Sequence, residues 1–231
     1  LSHDPPRFAG ATIVFDLDGT LVDSAPDLIA SLNHVLVSEN RLPLAPETVR
    51  MIVGHGARAL IERGFAETGD AVPPERLSGL VTRFVDYYSA HIAEGTRPFP
   101  GVEAALARLA AEGAQLAVLT NKFEGLAVQV IRTLRLEAHF ATIVGADTLA
   151  VRKPDPESYF ETVRRAGGIA GRSVMVGDSP TDVATARAAQ VPMIGVTFGY
   201  TPVPPTEFGA DALIDHFDAL DDALGALLPR R

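Results

Sequence analysis

The segment FDLDGTLVDS, residues 15–24, follows an apolar run and sets two aspartates, Asp16 and Asp18, one residue apart. In an extended strand, residues two apart project to the same face, so two ionised carboxylates there repel each other. A divalent cation would relieve that repulsion, a shared proton would relieve it, and a solvated turn would make the spacing incidental. Three further polar clusters could act with this one. Thr120 and Asn121 close the run QLAVLTN, Lys153 stands in KPDP a few residues after ATIVG, and Asp178 and Asp182 stand in GDSPTD directly after SVMV. Each cluster by itself is also an ordinary turn, strand-end or helix-cap sequence. Their order and spacing carry the argument.

The elements that would position these residues are short, nearly continuous apolar runs: ATIVF (11–15), QLAVLT (115–120), ATIVG (141–145), SVMVGD (173–178) and PMIGV (192–196). Each fits a strand buried on both faces. Amphipathic helical segments at 101–112, 122–134, 156–166 and 181–189 lie between most of them, and a short strand near 212–214 and a helix over 217–228 complete the series. This rhythm predicts an α/β, Rossmann-like parallel sheet flanked by helices, with right-handed crossovers. In such a sheet the ligand crevice lies at the carboxyl ends of the strands, which is where all the polar clusters fall.

One interval breaks the rhythm. Residues 25–97 contain no buried strand and read as helices at 25–40, 46–53, 57–68 and 73–94, separated by LPLAP, GHG and AVPP. Such a long interval cannot be a simple loop. The expected organisation is a core formed by 1–24 and 95–231, with an all-helical cap over 25–94.

Composition narrows the chemistry. The chain has 231 residues, 47% hydrophobic and 21% charged, which suits a globular protein with a proper core, and no apolar run reaches membrane-spanning length. The N-terminal LSHDPPRFAG lacks the basic region and apolar core of a secretory signal, although a chain that starts with Leu could have lost residues upstream. There are no cysteines, so thiolate metal sites and a cysteine nucleophile are excluded, and a reducing cytoplasmic location is compatible with the composition. A net charge of −9 argues against nucleic acid as partner, because backbone binding needs cationic side chains. A small anionic substrate remains compatible, since it would feel a metal and a few nearby cations more than the global charge.

Together DLDGTLVDS, LTNK, KPDPESY and VGDSPTDVATARAA resemble the motifs of haloacid dehalogenase-like phosphohydrolases, in particular the phosphoglycolate phosphatase group with a helical cap after the first motif. The resemblance spans nearly the whole chain. It implies a phosphomonoester hydrolase in which Asp16 is the nucleophile that forms an aspartyl-phosphate and Asp18 is the general acid and base. Asp16, the main-chain carbonyl of Asp18, and Asp178 would hold Mg²⁺. Thr120 and Asn121 would bind phosphoryl oxygens, and Lys153 would neutralise charge on them and restrain Asp16. Thr20 would orient the first loop. Asp182 would orient Lys153 or a metal-bound water, with a first-turn helix acid as the alternative.

In the expected cap, Arg58 is the candidate for a substrate carboxylate, with a solvated arginine as the alternative, and His55 is a candidate substrate contact or an exposed histidine. Lys122 is a possible ligand contact. The expected substrate is a small soluble phosphate ester, 2-phosphoglycolate first. A phosphatase of another ester, a phosphosugar mutase of the same superfamily and a non-catalytic phosphate-binding regulator are the competing readings, and the choice between monomer and homodimer stays open.

Overall fold

The computed structural model describes residues 6–201, 203, 204, 207 and 209–228, so the first five residues of the N-terminal segment discussed above lie outside them. Its centre is a six-stranded parallel sheet in the order β5-β4-β1-β6-β7-β8. The strands are β1 (Thr12–Phe15), β4 (Gln115–Leu119), β5 (Thr142–Val144), β6 (Ser173–Gly177), β7 (Met193–Val196) and β8 (Ala212–Ile214). From β1 the chain builds outward to β4 and β5 on one side, then returns to build β6, β7 and β8 on the other. This reversal makes β1 the topological switch point, where α/β sheets form their ligand crevice. Phe15 pairs with Val118 on one flank and Val176 on the other, so Asp16 emerges level with the ends of both neighbours.

The apolar runs are continuous because both faces are covered. Ile13, Phe15, Val174 and Val176 pack on one side with residues of α5 (Val102–Ala111), α6 (Glu124–Thr133) and α9 (Leu220–Leu227). Val14, Ala117, Leu119 and Met175 face α7 (Pro156–Arg165) and α8 (Pro180–Ala189) on the other. No helix among the described residues is long and apolar enough to cross a membrane.

Between β1 and β4 the chain forms α1 (Ala25–Ser38), α2 (Pro46–Arg50), α3 (Ala57–Glu67) and α4 (Pro74–Ala90). Helix α1 packs on α2, α3 and α4, and α3 packs on α4, burying Leu32, Leu36, Leu60, Phe65, Leu80 and Phe84. The last helix is shorter than its sequence pattern suggests. It stops at Ala90, and Ala93 turns left-handed with φ 57°, a conformation a helix cannot continue through.

The two crossings into this insertion contain a feature that the periodicity did not predict: β2 (Val22–Asp23) and β3 (Arg97–Pro98) form a two-stranded antiparallel ribbon. Strands of two residues carry no periodic signal. The buried Asp27 reinforces the ribbon, accepting from the backbone N–H of Gly95 at 2.7 Å and of Thr96 at 2.9 Å, and from the Thr96 hydroxyl.

Candidate active site

Asp16, Asp178 and Asp182 converge at the carboxyl ends of β1 and β6, where one oxygen from each lies within 4.8 Å of the others. All three are buried. Lys153, also buried, joins them, its Nζ lying 2.9 Å from Asp16 Oδ1 and donating to Asp182 Oδ1 at 2.6 Å. The backbone N–H of Leu17 donates to the same Asp16 oxygen at 2.7 Å. Among the described residues, the Leu17 N–H and Lys153 Nζ both fall on Asp16 Oδ1, and Asp16 lines the pocket.

Three buried carboxylates facing one ammonium leave an excess of negative charge. Burial, opposed by Lys153 and reinforced by Asp182, pushes the Asp16 carboxyl up to about 7. Burial, Asp182 and Asp16 push Asp178 up to about 8. Burial disfavours the charged form of Lys153, yet Asp16 and Asp182 outweigh it and hold the ammonium above its ordinary range. An all-oxygen cluster short of positive charge fits a hard divalent cation.

The local sequence explains how these groups are held. Gly19 turns the chain with φ 86°, and a Cβ there would come within 2.4 Å of Asp178 Oδ2, so side chain and backbone conformation both call for glycine. Thr20 Oγ1 donates to Asp178 Oδ1 at 3.1 Å, and the backbone N–H of Tyr200 donates to Asp178 Oδ2 at 2.8 Å. Asp182 has both functions that its sequence position offered as alternatives. Its Oδ2 accepts from the backbone N–H and hydroxyl of Ser179, completing a capping box at the start of α8, while Oδ1 takes Lys153.

Asp18 stands apart from this cluster. Its carboxylate accepts from the Ser24 hydroxyl and from Lys122 Nζ, which reaches both oxygens at 2.8 Å. Lys122, read from the sequence as a possible ligand contact, is thus a buried partner of Asp18. Burial opposes its charge, but Asp18 more than offsets this and raises its pKa. Thr120 Oγ1 accepts from the Lys122 backbone N–H at 3.1 Å, and Asn121 Nδ2 donates to the Lys153 carbonyl at 3.3 Å, tying the loops after β4 and β5 together. A pocket opens in front of these residues, with Asp16, Asp18, Thr120, Asn121 and Lys122 on its floor and Gly54, Gly56, Ala57 and Tyr88 on the insertion side.

The model of the haloacid dehalogenase-like hydrolases matches residues 13–196, from the first strand through β7. The chain belongs to that family. It is 47% identical over 218 residues to the phosphoglycolate phosphatase of Mesorhizobium japonicum, covering 94% of this chain and 96% of the relative. It is also 47% identical over 208 residues to the phosphoglycolate phosphatase of Caulobacter vibrioides, covering 90% and 88%. The crystal structure of a predicted phosphoglycolate phosphatase from Haemophilus somnus superposes with a TM-score of 0.87 at 28% identity, over 94% of this chain and 98% of that one.

Two residues of this hydrolase, the carboxylate candidate Arg58 and the candidate substrate contact His55, do not line the pocket. Arg58 is exposed, with Nε 3.2 Å from Glu62 Oε1 one helical turn on, and it does not line the pocket. The first turn of α3 presents its backbone and Ala57 to the pocket, so the neighbouring Arg58 side chain points to solvent. His55 is likewise exposed and not on the pocket wall, although its flanking glycines are, and partial burial together with Arg63 lowers its pKa.

Other residues enter the site without a role assigned from the sequence. Ser24 closes the first motif and looks like a plain helix-start serine, and Tyr200 sits after β7. Tyr88 continues the apolar stripe Leu77, Leu80 and Phe84 at helical spacing, so the sequence reads it as core.

Proposed function

We propose that this hydrolase is a Mg²⁺-dependent phosphoglycolate phosphatase that works through an aspartyl-phosphate. The observation that carries the chemistry is the Lys153 bridge between Asp16 and Asp182, which holds Asp16 by Oδ1 at the wall of the pocket and leaves Oδ2 free of those two donors. The substrate reading is supported by identity of 47%, along nearly the full chain, to proteins named for that activity.

In this proposal Asp16 Oδ2 attacks phosphorus, the bond to the alkyl oxygen breaks, and the departing oxygen takes a proton from Asp18. Asp18, now a carboxylate, accepts a proton from water as that water attacks the aspartyl-phosphate. Phosphate leaves, Asp16 regains its carboxylate, and Asp18 carries the proton for the next turn. Thr120 and Asn121 hold the phosphoryl oxygens while Lys153 neutralises their charge. Mg²⁺, held by Asp16, the Asp18 carbonyl and Asp178, would supply the Lewis-acid charge that lets an anionic nucleophile meet an anionic phosphate. Residues 25–94 act as a cap that selects the leaving group and excludes water.

A panel of small phosphate esters assayed with Mg²⁺ and with EDTA tests this. The highest kcat/KM is expected for 2-phosphoglycolate, with loss of turnover in EDTA. A sugar phosphate turned over only in the presence of a sugar bisphosphate would replace the phosphatase with a mutase.

A further inference from the structure

Among the described residues, the insertion side of the pocket holds one polar side chain without a well-formed hydrogen bond. Tyr88 is fully buried and lines the pocket, and although the Lys122 ammonium interacts with its hydroxyl, no donor or acceptor among the described residues makes a hydrogen bond of ordinary geometry there. Folded proteins seldom leave a buried hydroxyl unpaired, so such a group points to something that pairs with it. Burial keeps the phenol protonated against the pull of the Lys122 charge, so it is available as a donor.

Its surroundings favour an anion. The Lys122 ammonium lies 4.7 Å from the Tyr88 ring centroid and donates to both oxygens of Asp18, and as a donor itself it leaves the phenol proton free to pair elsewhere. On the same side of the pocket, α3 begins after Gly56 with no capping side chain, so among the described residues its first-turn N–H groups and the positive end of its dipole have no side-chain cap. Tyr88, Lys122 and Gly56 at the positive end of α3 therefore line one pocket with Asp18, the residue that would protonate the leaving oxygen.

We propose that Tyr88 is the specificity-determining donor for the leaving group, its hydroxyl binding the carboxylate of the substrate. This rests on the phosphoglycolate reading above and fills the role that Arg58 does not. A single methylene separates ester oxygen from carboxylate in 2-phosphoglycolate, so the donor must stand close to Asp18. Tyr88 does so through the Lys122 that both residues contact.

The test compares wild type and Tyr88→Phe on 2-phosphoglycolate and on ethyl phosphate, which lacks the carboxylate, together with product inhibition by glycolate. The substitution keeps the ring over Lys122 and removes a hydroxyl that makes no hydrogen bond of ordinary geometry, so the melting temperature is expected to hold. The ratio of kcat/KM for 2-phosphoglycolate over ethyl phosphate is expected to fall on the order of tenfold, mainly through KM, with glycolate inhibition weakened by a similar factor. A wild-type preference for 2-phosphoglycolate that survives unchanged in Tyr88→Phe would overturn the Tyr88 assignment alone. A wild type without that preference would overturn the substrate reading and the carboxylate site with it.

Discussion

Lys122 Nζ donates to both carboxylate oxygens of Asp18 at 2.8 Å, in a part-buried pair formed between the loop after β1 and the loop after β4. The Ser24 hydroxyl, at the entrance to α1, reaches the same carboxylate. The proposed proton carrier is therefore held at once by the sheet and by the crossing into the helical insertion.

Removing the ammonium should affect the step that needs a well-placed proton. Lys122→Met is expected to lower kcat for an alkyl phosphate by roughly tenfold to a hundredfold more than for an aryl phosphate, whose leaving group needs little protonation. Single-turnover rates for ethyl phosphate and p-nitrophenyl phosphate measure this. Equal losses on both esters would give Lys122 a purely structural role.

The acidic cluster makes a linkage prediction. Asp16 and Asp178 are raised to about 7 and about 8, so between the ordinary carboxylate range and those values the metal-free native state binds more protons than the unfolded chain. Stability in EDTA is then greatest at low pH within the folding range and falls as pH rises through about 7 to 8. Mg²⁺ competes with those protons, so its stabilising shift should grow with pH. Melting curves from pH 5 to pH 9, with EDTA and with Mg²⁺, check both signs. A metal-free melting temperature that climbs over that range would contradict the charge balance described for the cluster.

Tyr200 links the cluster to the crossings. Its backbone N–H holds Asp178, while its hydroxyl donates to Asp23 Oδ1 at 2.7 Å and accepts from the Ala25 N–H at 3.0 Å. Arg50 lies 5.5 Å over the ring and 3.2 Å from Asp23 Oδ2. Tyr200→Phe keeps the backbone bond and leaves the buried Ala25 N–H without that acceptor, so a loss of about 1–3 kcal/mol in unfolding free energy is expected. Urea denaturation at fixed Mg²⁺ measures it, and an unchanged midpoint would mean the hydroxyl adds nothing to the stability of the crossings.

What could be read in advance follows the physics of each signal. Strands buried on both faces announce themselves as apolar runs, and the switch point at β1 follows from their order. Asp16, Lys153, Asp178 and Asp182 were therefore legible as residues meeting at one edge. The ribbon of Val22–Asp23 with Arg97–Pro98 was not, because two residues are too short for periodicity. Tyr88 was hidden for the opposite reason: its spacing fits the core stripe so well that only the geometry distinguishes its unpaired hydroxyl. Arg58 shows the limit of charge as a guide, since a cation one residue away from the pocket-facing Ala57 projects to solvent and pairs with Glu62.

The central claim is that Asp16 carries the phosphoryl group. The most direct measurement mixes enzyme in excess with 2-phosphoglycolate and Mg²⁺, quenches in acid within milliseconds and maps the peptides by mass spectrometry. The account predicts one phosphoryl group on the peptide containing Asp16, lost as inorganic phosphate appears and absent from a folded Asp16→Asn variant with no turnover. Phosphate release at full rate from Asp16→Asn, or inversion of configuration at phosphorus without any phosphorylated peptide, would contradict it.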